Sequence, residues 1–198
     1  SQGHYENTLA NAIAWYFRNE ETPFVFRAVN RLDRDTSGLI LLAKNPYSSC
    51  ILSDAVKDHA IHREYAAIVS GKTADSGTID LPIARKDGST IERVCDPERG
   101  DAAVTHYQTI AYNKDADLSF IRLLLETGRT HQIRVHMASI SHPLLGDTVY
   151  GNSKNPYKLQ GQALHARTIG FIHPTTGEYI EVSAPIPEYM TELVRKLS

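Results

Sequence analysis

The sequence predicts an α+β fold, in which antiparallel strands alternate with a small number of helices. Three observations indicate this class. Segments rich in β-forming residues occur along the whole chain, and some follow one another closely enough to form hairpins. Helical spacing of apolar residues appears in four separate segments. No repeat, low-complexity tract or interdomain linker interrupts the sequence, so a single domain is predicted over residues 1–198.

The first half of the chain predicts two helices and three strands. "ENTLANAIAWYFRNE" has helical spacing, and Asn7 is predicted as its N-cap. "PFVFRAV" and "GLILLAK" predict strands on either side of a charged loop. Asn45 and Pro46 predict the cap and first residue of a helix that runs to about His59. "REYAAIVSG" then predicts a strand that ends at its glycine.

The second half predicts further strands between two helices. Residues 71–101 are irregular and predict one strand with excursions over the surface. "AAVTHYQTIAYN" and "LSFIRLLLETG" predict two antiparallel strands joined at "KDAD". "RTHQIRVHMASI" predicts a helix that opens at Arg129 and Thr130. "QALHARTIGFIHPTTGEYIEVSAP" predicts a hairpin that turns at residues 174–177, and "IPEYMTELVRKL" predicts a closing amphipathic helix.

Composition restricts the possible partners and location. The formal net charge of −2 gives no global argument for a nucleic-acid partner, so RNA or DNA binding would require a local basic patch. No apolar run is long enough to span a membrane, and no signal-like segment opens the sequence. Cys50 and Cys95 lack metal-site spacing and predict buried thiols in a reducing compartment. A cytoplasmic protein is therefore expected.

The segment "NRLDRDTSGLILLAKN" holds the first candidate for chemistry. Asp33 lies between Arg31 and Arg34, and a cationic environment favours a carboxylate that stays ionised as a nucleophile or base. A solvated surface loop before a strand would have the same composition, and its exposed ion pairs would contribute little. The residues alone favour this plainer interpretation.

Two further segments carry candidate residues. Tyr65, within "REYAAIVSG", fits either a core tyrosine or a stacking platform with a phenol donor. His131 and His136 are five residues apart, whereas helical zinc ligands are four apart, so no metal site is predicted. Arg134 lies between those histidines. If it is buried it needs an anion, and Asp33 or a phosphate would serve.

Four segments together resemble the RluA/RluD-type pseudouridine synthases, which modify uridines in ribosomal and transfer RNA. They are "RLDRDTSGLILLAKN", "REYAAIVSG", "TGRTHQIRVHMASISHPLLGD" and "LHARTIGFIHPTTGE". The resemblance implies a mixed, mainly antiparallel central sheet with flanking helices and an RNA-binding cleft. It also implies isomerisation of uridine, in which the N1–C1′ bond breaks and C5 bonds to C1′, without metal or cofactor. RNA is the expected partner, and a monomer is expected.

The resemblance also implies roles for individual residues. Asp33 matches the catalytic aspartate, and Arg134 matches the arginine that keeps it ionised and aligned. Tyr65 matches the tyrosine that stacks on the target base and is a candidate to help remove the C5 proton. The uridine must flip out of its helix, and Arg31 can fill the vacated stack. Four neighbouring residues are expected to shape the pocket or bind phosphates: Arg129, Thr130, His131 and Gln132.

Several alternatives stay open from the sequence. Attack at C1′, attack at C6 and a glycal route each require an ionised Asp33. Asn30 stands where the family usually has histidine and retains a hydrogen-bonding side chain. The sequence lacks the family's K-P-x-G strand segment and an S4-like domain, so a shortened catalytic domain is expected. A non-catalytic RNA-binding relative is the alternative function, and a phosphate or metal hydrolase is disfavoured because the sequence has no glycine-rich phosphate loop.

Overall fold

The computed structural model describes residues 6–19, 24–151 and 157–195, and within these ranges the chain folds as the predicted α+β class. The helices are α1 (Leu9–Tyr16), α2 (Pro46–Lys57), α3 (Gln132–Ser139) and α4 (Glu188–Arg195). The strands are β1 (Ser37–Gly38), β2 (His62–Ser70), β3 (Ser76–Asp80), β4 (Ile83–Arg85), β5 (Arg93–Cys95), β6 (Val104–Asn113), β7 (Leu118–Leu125), β8 (Leu164–Ile172) and β9 (Tyr179–Ser183).

The central sheet has seven strands in the described part of the chain. Their order is β1-β8-β2-β7-β6-β3, with β9 paired to β8. Every pair is antiparallel except β1 with β8, so the prediction of a mixed, mainly antiparallel sheet is confirmed. The predicted hairpins β6–β7 and β8–β9 are confirmed as well.

Strand β2 runs through the centre of the sheet and is buried on both faces. Because side chains alternate along a strand, Tyr65 and Val69 face one side, where they pack in a cluster with Ile133 and Met137 of α3. Ala66 and Ile68 face the other side and join a cluster with Met190 and Leu193 of α4. The sheet is therefore covered by α3 on one face and α4 on the other.

The helix caps agree with the sequence at α2 and differ at α1. Asn45 caps α2 by accepting a hydrogen bond from the Ser48 backbone N–H at 2.8 Å. The prediction of Asn7 as the N-cap of α1 was wrong, because Asn7 adopts a positive φ of 55° and Thr8 forms the capping box with Asn11. Predicted residue Glu20 lies outside the described residues.

The strands predicted from "PFVFRAV" and "GLILLAK" do not form as regular elements in residues 24–29 and 39–44. These segments run side by side and share a single bridge, Ala28 with Leu42. Leu39 and Leu41 instead pack in a cluster with buried residues that include Leu52 of α2. Burial against a helix satisfies the apolar side chains without a long ladder, which explains the wrong prediction; Pro23 lies outside the described residues.

Residues 71–101 are more regular than expected, because they contribute three strands instead of one. Strand β3 pairs with β6 at the edge of the central sheet. Strands β4 and β5 form a separate two-stranded hairpin, and α3 packs near β5. This hairpin stands beside the start of α3, where the predicted site residues lie.

Two expectations from composition have different outcomes. The prediction of buried thiols was wrong for Cys50, which is exposed, whereas Cys95 is half-buried; neither cysteine forms a disulfide. In the described ranges, every helix is too short or too polar to traverse a bilayer.

Candidate active site

A cleft with a volume of about 340 Å³ opens on the α3 side of the sheet. Its walls come from the loop before β1, the start of β2 and the segment from the end of β7 into α3. Asp33, Tyr65 and Arg134 all line this cleft, as predicted from the sequence. Four of the five predicted RNA-contact residues line it as well: Arg31, Arg129, Thr130 and Gln132.

The acidic group of the cleft lies beside a buried arginine. Oδ2 of Asp33 is 3.7 Å from Nη1 of Arg134, so the predicted ion-pair proximity is confirmed. The Asp33 side chain is 15% exposed and that of Arg134 is 6% exposed. Because 3.7 Å exceeds hydrogen-bonding distance, the carboxylate is supported by the positive charge but keeps its oxygens available to a ligand.

Arg134 is held in place by a second carboxylate, Asp147. Nε and Nη2 of Arg134 donate to the two Asp147 oxygens at 2.7 and 2.9 Å. Asp147 Oδ1 also accepts from the backbone N–H groups of Val149 and Tyr150 at 2.9 and 3.0 Å. This bidentate pair fixes the plane of the guanidinium and leaves Nη1 directed towards Asp33.

The Arg134–Asp147 pair stays charged despite its burial. Burial lowers the pKa of Arg134, but the hydrogen bonds and charge of Asp147, together with the charge of Asp33, outweigh this and raise the pKa. Burial likewise raises the pKa of Asp147, and the Arg134 and backbone hydrogen bonds outweigh it, so that the pKa lies below its usual value. The sequence patterns do not single out Asp147, although it follows Gly146 in the quoted "HPLLGD" segment.

The loop that carries Asp33 is anchored by Gln162, which the sequence patterns also do not single out. The buried amide of Gln162 donates to the carbonyl of Arg34 at 2.7 Å and to Oγ1 of Thr36 at 2.9 Å. The backbone N–H of Thr36 in turn donates to the carbonyl of Asp33 at 3.1 Å. The turn that presents the carboxylate is therefore fixed from the segment just before β8.

Strand β8 also holds the end of this loop. Ser37 Oγ lies 2.8 Å from Nδ1 of the buried His165. Gly38 has a φ of 115°, and a Cβ at that position would collide with the backbone of Ala166, so only glycine fits. Asn30 accepts from the Leu41 N–H at 2.7 Å, which gives this residue a structural role at the cleft entrance.

The two charged residues that follow Asp33 in sequence are solvated. Arg34 and Asp35 form an exposed pair with 3.3 Å between Nε and Oδ2. Asp35 adopts a positive φ of 68° in the turn. Only Asp33 of the two aspartates lines the cleft.

Tyr65 forms part of the cleft wall and is 7% exposed. Burial raises the pKa of its phenol; the charge of Arg63 partly opposes this effect and that of Asp33 adds to it. The side chain is therefore a neutral phenol at pH 7, with a ring available for stacking.

The segment that leads into α3 contains both accessible cleft residues and a buried structural residue. Arg129 is exposed and Thr130 is half-buried, and both line the cleft. Gln132 is buried and engaged: its carbonyl oxygen accepts from Thr127 Oγ1 and the Arg129 N–H, and its amide donates to Val104 O. These contacts favour a structural role for Gln132.

His131 is not among the residues that line the cleft, although it lies close enough to Asp33 and Arg134 for their charges to act on its pKa. It is the N-cap of α3 in the left-handed conformation, with φ of 60°, and its Nδ1 lies 2.8 Å from the Tyr150 hydroxyl. The helix thus begins at Gln132, two to three residues later than predicted. Among the described residues, no group of three or more His, Cys, Asp or Glu side chains is placed to hold a metal ion.

A second, polar pocket of about 400 Å³ adjoins the cleft on the side of the β4–β5 hairpin. The two share Gly128, Arg129 and Thr130. Its lining includes the following arginines: Arg85, Arg93, Arg99 and Arg129. The cleft therefore continues into a local basic surface, although the net charge of the chain is negative.

Sequence comparisons identify the family to which this chain belongs. A profile described as RNA pseudouridylate synthase matches residues 1–139. The chain belongs to this family.

Individual relatives agree with the family assignment. The chain is 43% identical over 196 residues to the uncharacterized RNA pseudouridine synthase YjbO of Bacillus subtilis (strain 168), covering 98% of this chain and 68% of the relative. It is 38% identical over 204 residues to the ribosomal large subunit pseudouridine synthase D of Escherichia coli (strain K12), covering 97% and 62%. The chain thus spans about two thirds of the length of these relatives.

Solved structures give the same fold. Human RNA pseudouridylate synthase domain containing 4 superposes with a TM-score of 0.76 at 21% identity, covering 95% of this chain and 81% of that protein. Human RNA pseudouridylate synthase domain containing 1 has a TM-score of 0.71 at 25% identity, covering 87% and 80%. The predicted pseudouridine synthase fold is confirmed.

Proposed function

We propose that the protein is a pseudouridine synthase that isomerises a uridine of ribosomal or transfer RNA to pseudouridine. The proposal rests chiefly on one observation, the partly exposed Asp33 carboxylate 3.7 Å from Nη1 of an arginine that Asp147 holds in place. The name of the Escherichia coli relative favours ribosomal RNA of the large subunit as the substrate. The cytoplasmic location and the monomeric state stay predictions.

In this proposal Asp33 is the catalytic group. The N1–C1′ bond of the uridine breaks, the uracil turns, a C5–C1′ bond forms, and the C5 proton is finally replaced by one at N1, so that substrate and product are isomers. Asp33 either attacks C1′ or C6 or supports positive charge at C1′ on a glycal route. Arg134 stabilises the negative charge of Asp33 in each case, because Coulomb attraction is strong in a cleft partly shielded from water.

The other cleft residues bind the flipped nucleotide. Tyr65 offers its ring to the uracil, and its neutral phenol can donate a hydrogen bond or exchange a proton during loss of the C5 proton. Arg31 is exposed at the rim, where its planar guanidinium can stack in the gap that the uridine leaves. A cleft of about 340 Å³ is suited to a single nucleotide and excludes a duplex.

The test compares two aspartates of the same loop. Asp33→Asn removes the proposed catalytic carboxylate, whereas Asp35→Asn alters an exposed aspartate that lies outside the cleft. Each protein is incubated with large-subunit ribosomal RNA or transfer RNA that carries tritium at C5 of uridine, and tritium release is measured. We expect release by the unaltered protein and by Asp35→Asn, and a loss of at least about 10³-fold in Asp33→Asn.

Two results would contradict the proposal. The first is turnover by Asp33→Asn at the rate of the unaltered protein. The second is tight RNA binding by the unaltered protein without tritium release from either RNA, which would identify it as a non-catalytic RNA-binding relative. Circular dichroism of both variants controls for folding, because each substitution retains the size of the side chain.

A further inference from the structure

Arg63 is a second buried arginine in the wall of the cleft. It is 8% exposed and lines the cleft together with Tyr65. Both side chains project from the same face of β2, because they are two residues apart on a strand. This spacing separates their Cα atoms by about 6.6 Å. Arg63 therefore lies next to the position proposed for the target base.

The guanidinium of Arg63 has few partners within the described part of the protein. Nη2 donates to the backbone carbonyl of Glu126 at 3.1 Å, and the buried Nε has no hydrogen-bond partner among the residues that the structure describes. Within residues 6–19, 24–151 and 157–195, no carboxylate lies within the 4.0 Å that defines an ion pair with Arg63. Burial lowers the pKa of Arg63, because removal from water disfavours the charged guanidinium.

A buried positive charge without a counter-ion is costly, so its position calls for an anion. The neighbouring residue Glu64 faces the other side of β2 and pairs with Arg122, with 2.7 Å between Nε and Oε2. A carboxylate is therefore present one residue away but is directed to a different arginine. A guanidinium presents a fork of N–H donors that matches the oxygens of a phosphate.

The neighbouring loop passes close to the guanidinium at a glycine. Gly128 lies against Arg63, and a Cβ at that position would collide with Nη1. Arg129 follows Gly128, is exposed, and lines the same cleft. An anion that enters here would meet Arg63 from the wall and Arg129 from the rim.

We propose that Arg63 binds a phosphodiester group of the substrate RNA, namely the phosphate adjacent to the flipped uridine. This inference rests on the proposed function, since that function supplies the RNA. During isomerisation the uracil detaches and turns while the ribose must stay over Asp33. A phosphate fixed at Arg63 holds the ribose through the backbone and leaves the base free to turn above Tyr65.

The first experiment measures RNA binding as a function of salt. Arg63→Met removes the charge and retains much of the apolar side-chain volume; Arg167→Met makes the same change at an exposed arginine outside the cleft lining. We expect Arg63→Met to weaken binding by roughly 10- to 100-fold. The slope of log K against log salt should become shallower by about 0.7, the value for one phosphate contact of a single strand. Arg167→Met should change neither quantity.

A third variant separates charge from geometry. Arg63→Lys retains the charge but offers no planar fork, so we expect the salt slope to stay near that of the unaltered protein while affinity falls. If Arg63→Met fails to fold, the affinity of Arg63→Lys alone tests the inference. A salt slope and an affinity unchanged in both Arg63 variants would overturn the inference.

The second experiment does not depend on RNA. Inorganic phosphate, compared with chloride at equal ionic strength, should raise the unfolding temperature of the unaltered protein and of Arg167→Met by more than that of Arg63→Met, which retains only the general stabilising effect of phosphate. An equal phosphate effect in all three would contradict an anion site at Arg63. Phosphate stabilisation through Arg63 without tritium release from RNA would refute the proposed function and retain the anion site. Tritium release with unchanged KM in Arg63→Met would refute this inference alone.

Discussion

Two buried arginines face the same cleft, and they differ in what balances their charge. Arg134 is 5% exposed and pairs with Asp147 and Asp33. Arg63 is 8% exposed, and in the described part of the chain its guanidinium donates to one acceptor, the backbone carbonyl of Glu126. The residue type and burial are the same at both positions, so the difference lies in the counter-ions that the fold supplies.

This difference matches the two parts of the proposed substrate. Uracil is neutral, so the group that supports Asp33 must be oriented by the protein itself, and Asp147 does this through two hydrogen bonds. The RNA backbone is anionic, so an arginine that binds it gains most if no protein carboxylate competes. A carboxylate partner within the protein therefore orients Arg134, whereas the lack of such a partner leaves Arg63 able to bind an anion of the substrate.

The largest expected effect comes from making the Arg134 site resemble the Arg63 site. Asp147→Asn leaves the buried Arg134 without its tight carboxylate, and we expect the free energy of unfolding to fall by about 3 kcal/mol. Turnover should fall as well, because Arg134 becomes free to close onto Asp33. Urea denaturation and tritium release measure the two effects.

The control for this prediction is Asp115→Asn at an exposed aspartate, which should change the unfolding free energy by less than about 0.5 kcal/mol. The double variant Arg134→Met with Asp147→Leu should recover part of the lost stability, because neither charge of this pair is left buried without its partner, but it should recover no turnover. A protein with Asp147→Asn that is as stable as the unaltered one would show that the pair does not hold Arg134.

A smaller effect is expected from displacing Arg63 without removing its charge. Gly128→Ala introduces a Cβ that collides with Nη1 of Arg63, so the guanidinium must shift. We expect RNA affinity to fall by about 3- to 10-fold, the scale of one weakened hydrogen bond. Fluorescence anisotropy with labelled RNA measures the change.

A double-mutant cycle tests whether the glycine acts through the arginine. In the Arg63→Met background, Gly128→Ala should have no further effect on RNA affinity, since the shorter, uncharged side chain leaves nothing to displace. Additive losses in the double variant would instead place the effect of Gly128 elsewhere in the loop.

The smallest expected effect concerns a third buried basic residue, His136. Its imidazole is neutral in the folded protein, so it needs no counter-ion. Burial lowers its pKa, and the hydrogen bond to the Leu81 carbonyl opposes this only in part. The folded state thus binds the proton less readily than the unfolded state, whose histidine pKa is about 6.5. Stability should therefore fall as the pH drops below about 6.5, by up to about 1.4 kcal/mol per pH unit for each such histidine.

Chemical denaturation at pH 7.5, 6.5 and 5.5 measures this slope. His131 and His165 also have a pKa lowered by burial, so the contribution of His136 is the difference between the unaltered protein and His136→Gln. We expect the variant to show the shallower loss of stability on acidification. An identical pH dependence in both proteins would contradict a neutral, buried His136.

The fold was predictable where local pattern and tertiary packing agree. The segment "REYAAIVSG" forms the central strand β2, and Asn45 caps α2 as its sequence position suggests. The predicted and observed structures differ where apolar residues are buried by packing against a helix and not within a hydrogen-bonded sheet. Leu39 and Leu41 are apolar because they contact α2 and its neighbours, a burial pattern that a strand would share.

The site was predictable only for residues within recognisable motifs. Asp33, Tyr65 and Arg134 meet in one cleft as expected. Asp147 was not predictable as the partner of Arg134, because the pairing depends on how the loop after α3 folds back. Arg63 belongs to a quoted motif, but its lack of a counter-ion is a property of the surrounding structure and leaves no pattern in the sequence.

The anchoring of the Asp33 loop by β8 has a consequence for biosynthesis. Ser37 and His165 are 128 residues apart in the chain, and Gln162 comes from the same late segment. During translation the loop that presents Asp33 lacks these hydrogen-bonding partners until the late segment leaves the ribosome, because domains fold as their parts emerge. A nascent chain that ends before β8 would therefore carry every predicted catalytic residue and still lack an assembled site.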